Sequence, residues 1–166
     1  MRAACVLAVA VSIASGAGAA PIAPAEVWQP VHWIIGSWKG TTGGAAGPVK
    51  VKRTFASAPT NRHLEITETG GGLKRAAVWG IVSFDHERQV LALRRFAADG
   101  SVSDLTFDLA ASAAGRLVFI SPESEATRAR ITYERTASRT LIERIEQAAG
   151  TAPWEVVSQT TFARTD

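Results

Sequence analysis

The 166-residue sequence has few of the residues that build disulfide-linked or metal-held scaffolds. It contains one cysteine, Cys5, and three histidines, His32, His63 and His86. A disulfide framework needs paired cysteines, and a zinc site needs three or four converging ligands at characteristic spacings, so we predict neither. The sequence also has no Gly-x-Ser-x-Gly motif, the nucleophile signature of α/β-hydrolases. The fold must therefore be stabilised by a hydrophobic core, and no metal site or catalytic residue is predicted.

Long apolar runs are confined to the N terminus. The run from Ala4 to Ala14 follows one basic residue and precedes small residues that end in Ala17-Gly18-Ala19. This layout is typical of a secretory signal peptide, and the run is too short to span a bilayer. We predict a signal peptide over residues 1–19, cleaved after Ala19, and a periplasmic or secreted bacterial protein with no membrane span in its mature form. An N-terminal membrane anchor is the alternative, although no stop-transfer pattern or basic cluster follows.

Neither sign of charge is in large excess. The 18 basic and 15 acidic residues give a net charge of +3, which falls to +2 once Arg2 leaves with the signal peptide. Basic and acidic residues interleave along the predicted strands and do not gather into a stripe, so we predict no nucleic-acid partner. The oligomeric state is left open.

The abundant feature is a strand pattern. From Val49 onward the sequence has period-two alternation or short apolar runs, with turn residues about every ten positions; Asp99-Gly100 is the strongest hairpin signal. We predict one all-β domain over residues 20–166, an antiparallel meander of about 8–10 strands closed into a barrel, since closure removes both edge strands. Segment 139–147 also fits a helical period, and its neighbours favour a strand. Residues 24–35 are predicted to form a short helical turn that caps one end.

Two tryptophans, Trp33 and Trp38, lie close together in the sequence where the first predicted strand begins. Gly36-Ser37-Trp38 in that strand, together with Arg164 in the last, resembles the signature of the calycin superfamily, the lipocalins and their relatives. The resemblance implies that the arginine lies across the tryptophan face and seals the barrel floor. Such a contact is a cation–π interaction that backbone carbonyls can supplement. Gly36 would let the chain bend sharply as the strand begins.

A closer resemblance is to short exported bacterial proteins of unknown function that open with Trp-x-x-Gly-x-Trp, as residues 33–38 do. Val118-Phe119, Pro122-Glu123 and the segment 130–133 follow in the order of that family, but the family's His-Asp-Phe cluster after the proline is missing. Haem-binding calycins resemble the same opening and take their axial histidine from the C-terminal part of the barrel. This chain has no histidine after His86, so we predict no cofactor.

Charged residues within apolar strands indicate a possible binding site. Alternation sends one of Arg94 and Arg95 to the inner face, and likewise one of Glu143 and Arg144. An inward arginine must meet a carboxylate, water or an anionic ligand, because an unpaired buried charge is costly. The alternative is that these arginines lie outside and pair with carboxylates on neighbouring strands, with Asp104, Asp108 and Glu134 as candidates.

We therefore predict that the protein binds a small apolar or amphipathic molecule with an acidic head inside the barrel, without catalysis. The predicted ligand-binding residues are Trp79, Arg94, Phe96, Phe107 and Tyr133. One alternative is a barrel hydrolase or isomerase that uses His63 and Glu65, which share a strand face. No nucleophile motif accompanies them, which favours a solvent-facing polar stripe opposite Leu64 and Ile66. Another alternative is an envelope protein-interaction module. The fold cannot choose among these functions.

Overall fold

A computed structural model describes residues 25–44, 47–58, 62–70 and 78–166. The first element is a helix over Ala25–Trp28, α1, which passes directly into a 3-10 helix over Gln29–Ile34. Pro30 stands at the start of the 3-10 helix, where a missing N–H costs no hydrogen bond. These elements form the predicted helical turn. The predicted signal peptide lies outside the described residues, and none of the described helices is long and apolar enough to cross a membrane.

Ten antiparallel strands form one closed barrel in which every strand pairs with its neighbour in sequence and the last pairs with the first. The all-β barrel prediction is thereby confirmed, and segment 139–147 lies in a strand. The strands are β1 Gly36–Gly44, β2 Gly47–Ser57, β3 His63–Gly70, β4 Val78–Asp85, β5 Val90–Ala97, β6 Val102–Phe107, β7 Arg116–Ile120, β8 Thr127–Ala137, β9 Thr140–Ala149 and β10 Glu155–Arg164.

Alternation along the strands separates an inner from an outer face. In β2, for example, Val51, Arg53 and Phe55 are buried, whereas Lys50 and Lys52 are exposed. We call the end of the barrel where β1 begins and β10 ends the closed end, and the opposite end the mouth. Large apolar side chains fill the interior towards the closed end; they include Trp38, Phe55, Leu64, Val82, Leu91, Leu93, Leu105, Phe107, Leu117, Phe119, Leu141 and Phe162.

Trp38 and Arg164 seal the closed end. They are direct partners in the β1–β10 ladder, and the guanidinium carbon of Arg164 lies 5.4 Å from the centroid of the Trp38 ring. The Trp38 indole N–H donates to the carbonyl of Ile34, and Arg164 Nη2 donates to that of Ile35, each at 2.8 Å. The contact implied by the calycin resemblance is present, and it also fixes the 3-10 helix against the barrel floor.

Gly36 makes room for that seal. Its φ of +138° is rarely adopted by residues with a side chain. A Cβ atom at this position would lie 2.6 Å from Asp166 Oδ2 and 2.8 Å from Arg164 Nη2. Glycine is therefore required by both the backbone conformation and the close approach of Arg164.

The interior changes character towards the mouth. Inward-facing side chains there are mostly small or polar, and they are only partly buried: Thr42, Val49, Arg95, Ala97, Ser103, Ala129, Ile145 and Ser158. Solvent thus reaches the inner wall from this end, whereas at the closed end Trp38 and Phe162 have no exposed surface. The fold therefore places any interior ligand site in the mouth half of the barrel.

Candidate ligand site inside the barrel

The base of this site is a buried charged cluster centred on Arg53. Arg53 Nε donates to Glu68 Oε2 at 3.1 Å, Nη2 donates to the same oxygen, and Nη1 donates to Glu143 Oε1. The exposed fractions of Arg53, Glu68 and Glu143 are 2%, 8% and 3%. The guanidinium carbon also lies 4.8 Å from the centroid of the Phe162 ring. Strands β2, β3, β9 and β10 thus meet at one cation.

Arg53, Glu143 and Tyr133 each keep one protonation state near neutral pH. Burial raises the pKa of the Glu143 carboxyl, but Arg53 and Arg95 outweigh this effect and hold the pKa below its ordinary value. Burial and the neighbouring Glu143 raise the pKa of Tyr133, so the tyrosine stays protonated and its hydroxyl donates to Glu143. Burial lowers the pKa of Arg53, but Glu143 and Glu68 reverse this and raise it overall. Such fixed charges suit a structural base better than acid–base catalysis, which needs a pKa near the working pH.

Arg95 lies above this base and faces inward. On β5 it alternates with the buried Leu91 and Leu93 and pairs across the sheet with Gly80 and Ser103. Its charge acts on both Glu143 and Tyr133, on the far side of the lumen. Arg95 as a residue is half-buried, yet its guanidinium makes no hydrogen bond and no ion pair with any of the residues that the structure describes.

Arg94, one of the predicted ligand-binding residues, lies on the outer face, and Arg95 is the inward one of the two. Arg94 forms a two-point pair with Asp104, with Nε–Oδ1 and Nη2–Oδ2 distances of 2.6 and 3.0 Å. This is the alternative arrangement that the sequence left open, with the carboxylate on the neighbouring strand. The physical reason is register, because Leu91 and Leu93 oppose Phe84 and Val82 on the inner face of β4, and Arg95 follows on that face.

Trp79 and Phe96 lie outside with Arg94, so the prediction that they line the interior is wrong. The inner face of β4 is formed by Val78, Gly80 and Val82, which leaves Trp79 outside with 38% of its surface exposed. Its ring packs against Phe96 with 5.0 Å between centroids. Together with Arg94 the two rings line an outer groove of about 890 Å³. These residues therefore cannot contribute to a ligand site inside the barrel.

Phe107 and Tyr133 do lie inside, at the closed end. Phe119 bridges them, with ring centroids 5.5 Å from Phe107 and 6.5 Å from Tyr133. Tyr133 also packs edge-on against Phe55 at 5.5 Å. Their exposed fractions are 8% and 2%, so both belong to the core beneath the site, and only Tyr133 reaches its polar base.

The candidate catalytic pair His63 and Glu65 is brought together, but on the outer surface. His63 Nε2 lies 3.5 Å from Glu65 Oε1, and the side chains are 32% and 45% exposed. Their neighbours Leu64 and Ile66 occupy the inner face. The hypothesis of a base inside the barrel is therefore wrong in its location, and the pair matches the solvent-facing stripe that was the alternative. Among the described residues no three histidine, cysteine or carboxylate side chains cluster as a metal site would require.

Comparison with known proteins supports the fold and leaves the function open. A solved structure of Rv2717c from M. tuberculosis matches with a TM-score of 0.55 and 13% sequence identity, over 86% of this chain and 99% of that one. This likeness supports the fold alone, a closed antiparallel β-barrel. The S-type phycobiliprotein lyase CPES from Guillardia theta matches with a TM-score of 0.45 and 10% identity, over 81% and 89% of the two chains. No protein-family model and no curated protein matches the chain.

Arg53 and Glu68 are the residues that sequence reasoning missed. The signal was present, because Arg53 lies between Val51 and Phe55 at period two, and Glu68 follows Leu64 and Ile66 in the same way. A charge on the apolar face of a strand is the criterion that drew attention to Arg95 and Glu143. Applied to β2 and β3 as well, it would have predicted the complete cluster.

Proposed function

We propose that this protein binds a small amphipathic molecule in the mouth half of the barrel, with an acidic head at Arg95. The observation that carries the proposal is that Arg95 is half-buried on the inner face and that its guanidinium has no hydrogen-bond or ion-pair partner among the described residues. Arg53, which also faces the interior, is by contrast matched by two carboxylates. The fold neighbour shares the barrel and says nothing about the ligand.

The chemistry of arginine favours a carboxylate or a similar oxyanion. The guanidinium presents five donors in a planar fork and no acceptor, which matches two oxygens of one head group. Partial burial strengthens such a contact because the local dielectric is lower than in water. Glu143 lies across the lumen and is ionised, so the head must approach Arg95 from the side of the mouth.

The neighbouring walls favour an apolar tail of modest size. Val49, Ala97, Ala129 and Ile145 face inward and are half-buried, so they offer apolar surface that a ligand can cover. Pockets for small molecules generally combine such walls with a few polar groups that fix orientation. The tail would therefore lie along β2, β5, β8 and β9.

Arg94 and Arg95 provide a matched test. We expect a fluorescent fatty acid to bind the wild-type protein with increased emission, and Arg95→Gln to weaken binding at least tenfold, because a hydrogen bond to a charged group contributes about 1.5–3 kcal/mol. Arg94→Gln removes the same charge one residue away on the outer face and should bind like the wild type. Equal weakening by both variants, or no weakening by either, would contradict the proposed anchor.

The head group can be tested with two competitors of equal chain length. A fatty acid should displace the probe more effectively than the corresponding fatty alcohol, and Arg95→Gln should abolish this preference. If alcohol and acid compete equally against the wild-type protein, the acidic head is excluded. If no apolar probe binds at all, the interior is not a ligand site.

We also infer from the N-terminal sequence that the protein acts outside the cytoplasm. Expression of the full chain in a Gram-negative host, followed by osmotic shock and intact-mass measurement, tests this. Release of a periplasmic protein lacking residues 1–19 supports export. Retention of the uncleaved chain in the membrane fraction supports the anchor alternative.

A further inference from the structure

Three exposed lysines gather on the outer face of β1 and β2; we call Lys39, Lys50 and Lys52 the lysine face. They are three of the four lysines in the whole sequence. With Thr41 and Thr69 they line a shallow hollow of about 620 Å³. The interleaving of charges seen in the sequence therefore does not hold for this side of the barrel.

The pairing of β1 with β2 sets like charges opposite each other. Lys39 is the direct cross-strand partner of Lys52, and Lys50 is the partner of Thr41. The outer neighbours on the flanking strands are uncharged, since Lys39 faces Ala163 on β10 and Lys52 faces Thr69 on β3. Like charges directly opposite on a sheet destabilise it. The arrangement works against folding, which is what a surface selected for binding an anion would show.

Two outer arginines have carboxylate partners, which the lysine face lacks in the part of the chain that the structure describes. Arg94 pairs with Asp104, Arg130 pairs with Glu146, and Arg130 also stacks on Trp154 with 4.6 Å from guanidinium carbon to ring centroid. Within the described residues no carboxylate oxygen lies within 4.0 Å of any lysine-face ammonium group. The protein thus neutralises these arginines and leaves the lysines of one face available.

We propose that the lysine face docks onto a membrane surface rich in anionic phospholipid. Protein interfaces are enriched in aromatic residues and arginine and depleted in lysine, and sites for single-stranded nucleic acid add aromatic stacking platforms. Among the described residues, the hollow of the lysine face has neither aromatic residues nor arginine; its other side chains are Thr41, Thr69 and the buried Val51. Clustered ammonium groups and neighbouring hydroxyl donors can instead form ion pairs and hydrogen bonds with the phosphate groups of a lipid surface. Without apolar side chains to insert, the contact is electrostatic and reversible.

Vesicle co-sedimentation tests the proposal directly. The wild-type protein should sediment with vesicles that mix phosphatidylglycerol and phosphatidylcholine, should remain in solution with phosphatidylcholine alone, and should dissociate as salt is added. The triple variant Lys39→Gln, Lys50→Gln, Lys52→Gln should bind on the order of a hundredfold more weakly, since each lysine near an anionic surface contributes about fivefold. The control Arg88→Gln, Arg94→Gln, Arg139→Gln removes the same charge elsewhere and should bind normally.

Three results would overturn the proposal. They are failure of the wild type to bind anionic vesicles, equal loss of binding in the control variant, and preference for a soluble polyphosphate that displaces the protein from vesicles at matched phosphate concentration. Lys39→Glu gives a second readout, because it replaces a repulsive pair by an attractive one with Lys52. It should raise Tm while it lowers vesicle binding, whereas a purely structural role would move both together. None of these variants touches Arg95, so this test and the fatty-acid test fail independently.

Discussion

Two inward arginines, Arg53 and Arg95, occupy contrasting regions of one barrel. Arg53, in the closed half, is 2% exposed and meets Glu68 and Glu143. Arg95, in the mouth half, is half-buried and meets no carboxylate within 4.0 Å among the described residues. The same residue type thus has different surroundings in the two halves of the barrel. Water is excluded around Arg53, so carboxylates of the protein must neutralise its charge. Water reaches Arg95, so its charge can remain without a protein partner and is available to a ligand.

The largest expected effect comes from removing the matched arginine. Arg53→Met leaves two buried carboxylates without their cation, and breaking a buried pair in this way costs about 3–5 kcal/mol of unfolding free energy. Urea denaturation at neutral pH measures the loss. Arg94→Gln is the control, because its exposed pair with Asp104 contributes about 0–1 kcal/mol. Similar losses of unfolding free energy for Arg53→Met and Arg94→Gln would show that the buried ion pairs contribute no more to stability than the exposed one.

Acid should weaken the closed half in particular. The pKa of Glu143 in the folded protein lies below its ordinary value of 4.5. Its stabilising contribution is therefore fully present above the pKa of the unfolded chain and is lost as the pH falls through the lower, folded value. We expect Tm to decrease below about pH 4.5, and Glu143→Gln to flatten that dependence.

Glu146 offers the comparison for this pH effect. Its pKa is also lowered, by hydrogen bonds from Arg130, but the pair lies at the outer surface. Glu146→Gln should therefore flatten the acid dependence less than Glu143→Gln. A larger effect from Glu146 would place the acid-sensitive contact outside the barrel.

A smaller loss is expected at the barrel floor. Arg164→Gln removes the cation–π contact with Trp38 and the hydrogen bond to the carbonyl of Ile35. Together these contribute about 1–3 kcal/mol. Thermal unfolding measures the change, and the fluorescent fatty acid should still bind because the mouth half is untouched. Loss of probe binding at full stability would contradict the separation of the two halves.

Much of the architecture follows from local patterns in the sequence. Alternation and turn residues predict the closed meander, and Gly36, Trp38 and Arg164 predict which strands meet. The choice between Arg94 and Arg95 could not be made in the same way, because both faces of β5 carry apolar residues. Pairing with β4 and β6 decides it, and that pairing is a long-range property. The position of Trp79 was missed for the same reason.

The partners of Arg53 are far apart in sequence, and this bears on how the chain folds. Glu68 lies 15 residues away on the adjacent strand β3. Glu143 lies 90 residues away on β9, which is separated from β2 by β10 and β1 along the shorter path around the ring. In an intermediate in which β10 has not yet paired with β1, Glu143 would lie in an apolar half-barrel without Arg53 as its cation partner. We therefore expect closure of the barrel and formation of the core to occur as one cooperative event. The buried ion pair of Arg53 with Glu143 can form only when β1 and β10 pair in the correct register.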